Sequence, residues 1–244
     1  MVATPKSRSK AKPAPQDKPP LQARLRVWAK RLALGVVGYF GVLILLFSLV
    51  PPPINLYQIS ESWRLGGISK QWVSWEAIAP VMGRSVVAAE DANFCQHWGF
   101  DLTAIRAAVD GGGQRGGSTL TQQVVKNVLL WQQRSYIRKA LEALLTPVIE
   151  LVWSKQRILE VYLNVAEFDE GVFGVQAAAR HYFGVDADAL SALQAARLAA
   201  VLPNPKERSA SKPTAFIRKR TAAIISGAET IAVDGRAACF QLRD

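Results

Sequence analysis

Glu90 and Asp91 close an apolar run, Val86-Val87-Ala88-Ala89, and are followed by Phe94, His97 and Gly99. If the helix continues, Val86, Glu90, Phe94 and His97 share a face at i, i+4, i+8 and i+11. A carboxylate on a partly apolar face has a raised pKa, which suits a general base or acid. The same pair also reads as surface acids that end a helix. A second group lies at residues 116–127, GGSTLTQQVVKN, with Ser118 as a helix N-cap after the glycines. Thr119, Gln122, Gln123 and Lys126 then fall at i, i+3, i+4 and i+7, one polar face. Hydroxyls, amides and an ammonium so arranged can grip sugar or phosphate oxygens; a solvated face gives the same pattern. The glycines precede no G-x-x-x-x-G-K-[ST], which excludes a nucleotide P-loop. Third, Arg134, Arg138 and Glu142 are spaced i, i+4, i+8 beside Lys139. They form either a cationic seat for a diphosphate with a second carboxylate, or a salt-bridged face worth about 0.2–0.5 kcal/mol per pair. Fourth, residues 155–164, KQRILEVYLN, carry a core stripe of Ile158, Leu159, Tyr162 and Leu163, with Lys155 and Asn164 as polar ends.

These groups need helices to hold them. Segments 76–92, 101–110, 118–131, 135–151, 155–166, 172–182, 188–201 and 214–232 carry helix-period apolar residues. No run alternates as strands do. Glycine-containing loops stand at residues 111–117 and around Gly171 and Gly174. The fold class is therefore mainly α, with a glycine loop at 111–117 that is either a hinge or a passive linker.

Charge divides the chain. Residues 1–31 hold nine Lys or Arg against one acid, Asp17, while the remaining residues are nearly balanced. Basicity confined to a tail beside an apolar stretch points to a membrane and not to nucleic acid. Residues 1–31 are expected as a disordered basic tail. Residues 32–50 are charge-free, and as a helix they span roughly 28 Å, close to a bilayer core. Pro51, Pro52 and Pro53 stop them. A cleaved signal peptide is the competing reading, but the run is longer than such cores and no A-x-A pattern follows. With the basic cluster ahead of the span, the tail is expected in the cytoplasm and the rest outside. Residues 51–74 read as linker and domain entry, 75–232 as the folded domain and 233–244 as a tail. Two cysteines, Cys95 and Cys239, are too few for a disulfide framework, and whether they pair stays open. His97 and His181 are far apart, and nothing suggests zinc.

Taken in order, the motifs resemble those of the peptidoglycan glycosyltransferase (transglycosylase) family, in its monofunctional, membrane-anchored form. The family's E-D-x-x-F-x-x-H-x-G stands at residues 90–99, G-x-S-T-x-T-Q-Q-x-x-K-N at 116–127, R-K-x-x-E at 138–142 and K-x-x-I-L-x-x-Y-L-N at 155–164. A Gly followed by an Ala-rich helix and Y-F-G stands at 174–184. The resemblance covers roughly residues 75–205. Val185 departs from it, since many relatives carry Lys there. Ser209 and Lys212 spell the Ser-x-x-Lys of transpeptidase domains, but no K-T-G or S-x-N follows, and the match reads as chance.

The resemblance implies a lysozyme-like helical domain with a smaller, mobile, membrane-facing lobe behind one transmembrane helix. It implies the lipid-linked disaccharide-peptide lipid II and the growing glycan strand as substrates, at the bacterial inner membrane with a periplasmic or extracellular domain. Glu90 is then the base, and Glu142 assists at the diphosphate, through a metal or by orienting cations. Lys126, Arg134, Arg138, Lys139 and Lys155 are cations for the leaving diphosphate. Ser118, Thr119, Gln122 and Gln123 hold donor sugar or phosphate, and Asp91, Phe94 and His97 position Glu90. Arg106 is a further candidate for the cleft, and Asn164 joins the substrate set. Mg²⁺ or Mn²⁺ is implied on phosphate oxygens with few protein ligands. Val128-Leu129-Leu130-Trp131 either dips into the membrane interface or packs as core. Cell-wall synthesis or division proteins are possible partners. The rivals are a glycan-cleaving lysozyme-like enzyme, which has no diphosphate to seat, and a non-catalytic membrane-tethered wall-binding protein.

Overall fold

The computed structural model describes residues 21–110 and 117–241. The tail at 1–20 and most of the glycine loop at 111–117 lie outside them. Among the described residues there are ten α-helices: α1 Leu21–Leu49, α2 Leu56–Leu65, α3 Pro80–Glu90, α4 Leu102–Asp110, α5 Leu120–Leu129, α6 Tyr136–Val152, α7 Lys155–Val165, α8 Val175–Phe183, α9 Ala192–Val201 and α10 Ala215–Val233. Three short strands, β1 Ser69–Lys70, β2 Glu167–Asp169 and β3 Val172–Phe173, complete them.

Helix α1 is long and apolar enough to cross a membrane. It begins at Leu21, so the expected disordered tail to residue 31 is corrected: Arg24, Arg26, Lys30 and Arg31 ride on the helix. Lys and Arg are good helix formers, and charge alone does not break a helix. Residues 1–41 form one unit and 42–244 another. Within the second, the final turns of α1 are tied into the domain. Ile44 and Phe47 are buried. Trp153 Nε1 donates to Ile44 O at 2.8 Å, and Arg157 donates to Phe47 O and Val50 O. Phe47 O is among the last carbonyls of the helix, which lack partners of their own, and Arg157 supplies one.

The second unit is built from two helical groups. Helices α3, α9 and α10 pack on one another, burying Met82, Val86, Val87, Leu198, Ile217, Ile224 and Ile231. Each such large side chain contributes about 1.5–3 kcal/mol by leaving water. A Cβ on Gly227 would stand 3.1 Å from Ala88 Cβ, so small residues set the close approach of α10 to α3. Helix α5 packs against α6 and α7, with Leu120, Val124, Val125, Ile149 and Ile158 fully buried.

Several boundaries depart from the sequence reading. Segment 76–92 is a 3₁₀ turn, Trp75–Ala77, then α3 with Pro80 in its first turn, where a missing N–H is harmless. Helix α3 stops at Glu90, and Asp91 leaves the helical region at φ −159°, ψ 69°. The helical face expected to run on to His97 is thus broken. Segment 172–182 opens as strand β3 before α8, and 188–201 as a 3₁₀ turn before α9. The three strands form one sheet in the order β1-β3-β2, parallel then antiparallel. At two or three residues each, they are too short to show alternation. Residues 235–241, expected as a tail, fold back onto the domain. Cys239 is bridged to Cys95 with Cα atoms 5.6 Å apart. Phe240 is buried, its ring 6.2 Å from that of Trp75 and 6.4 Å from that of Phe94.

Candidate active site

Glu90, at the C-terminal end of α3, keeps only 14% of its side chain exposed. Burial raises its pKa; the hydrogen bond from Gln123 and the charge of Arg220 oppose this. Gln123 Nε2 donates to Glu90 Oε2 at 3.2 Å, while Tyr162 OH donates to Gln123 Oε1 at 3.3 Å. The amide is therefore oriented by its neighbour and presents a donor to the carboxylate. A proton acceptor needs this combination: poor solvation of its charged form and a fixed lone-pair direction.

The segment after Glu90 is braced. Asp91 Oδ2 accepts from Leu120 N at 3.0 Å, and its Oδ1 pairs with His97 Nε2 at 2.8 Å. Phe94 is buried against His97. Gly99 turns the chain at φ +78°; a Cβ there would stand 2.5 Å from Thr146 Cγ2. Asp91, Phe94 and His97 thus brace the segment that follows Glu90 by an irregular turn and not by a helical face.

A second acidic group stands on α6. Glu142 is buried and paired with both Arg138, at 2.7 Å, and Lys139. Lys139 Nζ also reaches Ser118 Oγ at 3.4 Å. Lys126 is half-buried, and burial, with Arg138 and Lys139 nearby, lowers its pKa; Glu142 and Glu90 oppose this. One ammonium therefore feels both carboxylates. Two hollows lie on either side of the Gln123–Glu90 pair. A cleft of about 290 Å³ is lined by Tyr57, Gln123, Lys126, Asn127, Tyr162 and Glu167 among others. A smaller one of about 180 Å³ is lined by Glu90, Asp91, Asn93, Gly117 and Ser118 among others. The Gln123–Glu90 hydrogen bond links a wall of one to a wall of the other.

Other expected site residues lie elsewhere or are engaged. Thr119, not Ser118, is the N-cap of α5, and Thr119 and Gln122 exchange side-chain bonds with each other's backbone in a capping box. Thr119 Oγ1 also donates to Gly99 O at 2.7 Å. Both are buried and bound to their own helix start, so the four-residue polar face reduces to Gln123 and Lys126. Lys155 Nζ is bound by His97 O at 2.8 Å and Glu150 Oε1 at 2.9 Å, and stands over the Phe94 ring. It braces the Glu90 segment from behind. Asn164 is fully buried and brackets Val73 through its N–H and carbonyl. Arg134 precedes the N-cap Ser135, so its i+4 spacing to Arg138 sets no shared helical face. Arg134 and Arg106 are exposed. Of the 128–131 stretch, Leu130 is core and Trp131 is exposed.

Arg220, in a run of three cations at residues 218–220, carries the pattern of a solvated face. Instead its Nη2 donates to Ala89 O at 3.3 Å and stands 3.9 Å from Glu90 Oε1, with Nε buried and unpartnered. The signal was present: Arg220 sits between Ile217 and Ile224 on the buried stripe of α10. Tyr57, Glu167 and Lys206 were also missed. Tyr57 OH donates to Glu167 Oε2 at 2.7 Å, and burial raises the Glu167 pKa.

The carboxylates do not offer a ready protein-held metal site. Both Glu142 oxygens are already occupied by cations. Asp91, His97 and Asp101 bring ligand atoms within 4.8 Å, but each Asp oxygen there already accepts a hydrogen bond or faces His97.

Comparison with known proteins gives a consistent answer. Residues 58–229 match the family model described as Transglycosylase. A biosynthetic peptidoglycan transglycosylase of Jannaschia sp. (strain CCS1) is 55% identical over 220 residues, 90% of this chain and 92% of the relative. One of Pseudomonas fluorescens (strain SBW25) is 51% identical, covering 86% and 93%. One of Chromohalobacter salexigens is 50% identical, covering 77% and 85%.

Proposed function

The chain belongs to the transglycosylase family and is a peptidoglycan glycosyltransferase that builds glycan strands, and from that premise we propose that its donor is the lipid-linked growing strand and its acceptor lipid II. Glu90 takes the proton of the acceptor's sugar 4-hydroxyl. The freed oxygen pair attacks the anomeric carbon of the growing strand. The bond from that carbon to the diphosphate oxygen breaks, undecaprenyl diphosphate leaves with the electron pair, and the α-linkage becomes β. A single in-line displacement needs no covalent sugar-enzyme adduct, as in inverting glycosidases.

The observation that carries this reading is the joint placement of Glu90 and Lys126 across Gln123, with Arg138 and Lys139 fixed by Glu142. A buried base stands beside a desolvated ammonium that gains from an incoming anion. Lys126 and Lys139 meet the diphosphate charge, with Ser118 beside them. Glu142 acts by orienting its cations. The Mg²⁺ or Mn²⁺ implied by the family would arrive with the diphosphate and not on protein carboxylates, and would help to neutralise leaving-group charge. The apolar helix α1 anchors the enzyme in the inner membrane in a single pass, with its N-terminus in the cytoplasm and the domain on the outer face. Cell-wall synthesis or division proteins are its expected protein partners.

The test is a glycan ladder: detergent-solubilised protein, fluorescent lipid II and Mg²⁺ or Mn²⁺, with products resolved on a gel. The expected result is a ladder that disappears in Glu90→Gln while the protein stays folded. Near-normal turnover in that variant would sink the base assignment. Shortening of preformed glycan without a ladder would favour the lytic reading, and neither activity from folded protein would favour a wall-binding role.

A further inference from the structure

Helix α2 presents an uncharged outward stripe. Leu56, Ile59 and Trp63 lie at i, i+3 and i+7, exposed by 67%, 38% and 87%, with only Ser60 among them. The opposite side faces the protein: Gln58 and Glu61 are buried, and Tyr57 lines the cleft. The helix is firmly made. Asn55 closes a capping box with Gln58, and Gly66 ends it in the left-handed region at φ +74°. From Leu32 to Ser60 the chain carries no charge, and Glu61, the first acid beyond, is buried against Arg64 and Lys206. The charge-free stretch thus outlasts α1 and continues onto the outward face of α2.

The path between the two helices is short and tied down. Arg157 holds Phe47 O and Val50 O, and Lys70 Nζ donates to Pro53 O at 3.3 Å. Residues 50–55 cover at most about 20 Å even when fully extended. A helix that begins so close to the end of an apolar span starts at the membrane surface. An exposed Trp with Leu and Ile on one face, and no charge among them, suits the boundary of headgroups and acyl chains.

We propose that α2 is an interfacial helix whose Leu56-Ile59-Trp63 face lies in the outer bilayer boundary. Its other face carries Tyr57 into the cleft. The cleft then opens within about one helix diameter, about 10 Å, of the lipid. Membrane contact at α2 is independent of which glycosyl substrate is used; it rests only on α1 as the anchor.

The test uses the full chain reconstituted in phosphatidylglycerol–phosphatidylethanolamine vesicles, with Cys95 and Cys239 left bridged. The fluorophore NBD is attached at Trp63→Cys, at Ile59→Cys and, as an exposed control, at Glu229→Cys. The expected result is blue-shifted NBD emission at 63 and 59, quenching there by lipids spin-labelled near the headgroup, and protection from iodide. The control should be quenched by iodide alone. Water-like emission at 63 and 59 with free iodide access overturns the proposal. Protection from both quenchers also overturns it, since a protein then covers the face. Protein that fails to float with the vesicles removes the anchor, and the proposal with it. In parallel, Trp63→Glu should weaken polymerisation of vesicle-borne lipid II severalfold while leaving the rate in detergent unchanged.

Discussion

Burial keeps Glu90 from ionising as freely as a solvated carboxyl, and two measurements follow. Its folded pKa is raised, so the unfolded chain gives up the proton first. The cost to stability is absent below the unfolded value, about 4.3, and grows as pH rises through the folded value. Glu90→Gln should therefore match or exceed the parent in thermal stability at pH 7, with any gain vanishing near pH 4. A melting scan at both pH values checks this, and an equal loss at both would mark Glu90 as structural. Arg220 acts in the opposite direction, since its charge lowers the Glu90 pKa. Replacing it by Gln should move the acidic limb of the rate profile to higher pH, with partial return in Arg220→Lys. A profile that drops uniformly without moving would show that Arg220 only supports the fold. The sequence exposed Glu90 through its motif, whereas Arg220 was hidden by two neighbouring cations that do face water.

At the scale of elements, residues that look like ligands in one dimension become struts in three. Lys155 opens α7 and meets Glu150 from the end of α6. Removing it leaves a buried carboxylate with, among the described residues, Thr121 as its remaining donor. Lys155→Ala should cost about 3–5 kcal/mol of stability, and Glu150→Gln in the same chain should restore part of it. A chemical denaturation series decides the matter: unchanged stability with lost activity would return Lys155 to the diphosphate. The helices were legible because Ala and Leu recur at helical spacing. Their joints were not. The stop at Glu90, the capping box at Thr119 and the two-residue strands depend on where single hydrogen bonds fall, which periodicity does not report. Likewise, Asn164 reads as a polar end of a motif, yet it is a buried clasp on Val73. Local spacing gave the order of the groups, and long-range packing decided which atoms remained free.

For the molecule as a whole, the Cys95–Cys239 bridge joins the segment just past Glu90 to the turn after α10, 144 residues away. Opening it should cost about 2–5 kcal/mol. Because Phe240 packs on Phe94, it should also lower turnover. The double Ser variant, assayed beside the parent for melting temperature and ladder formation, checks both effects; an unchanged turnover would separate the bridge from the site. Arg236, donating to Ala92 O at 3.2 Å, draws the same two segments together without a covalent bond. The bridge also sets an order of events during biogenesis. Synthesis runs from N to C, so Cys95 emerges while its mate is still unmade, and at about 5–20 residues per second the wait is about 7–30 s. Until α10 and the following turn arrive and an oxidant closes the pair, the strand after Glu90 lacks its clamp. Maturation is thereby timed by the late-made segment, and a nascent fragment that already carries every motif is still not a finished wall polymerase.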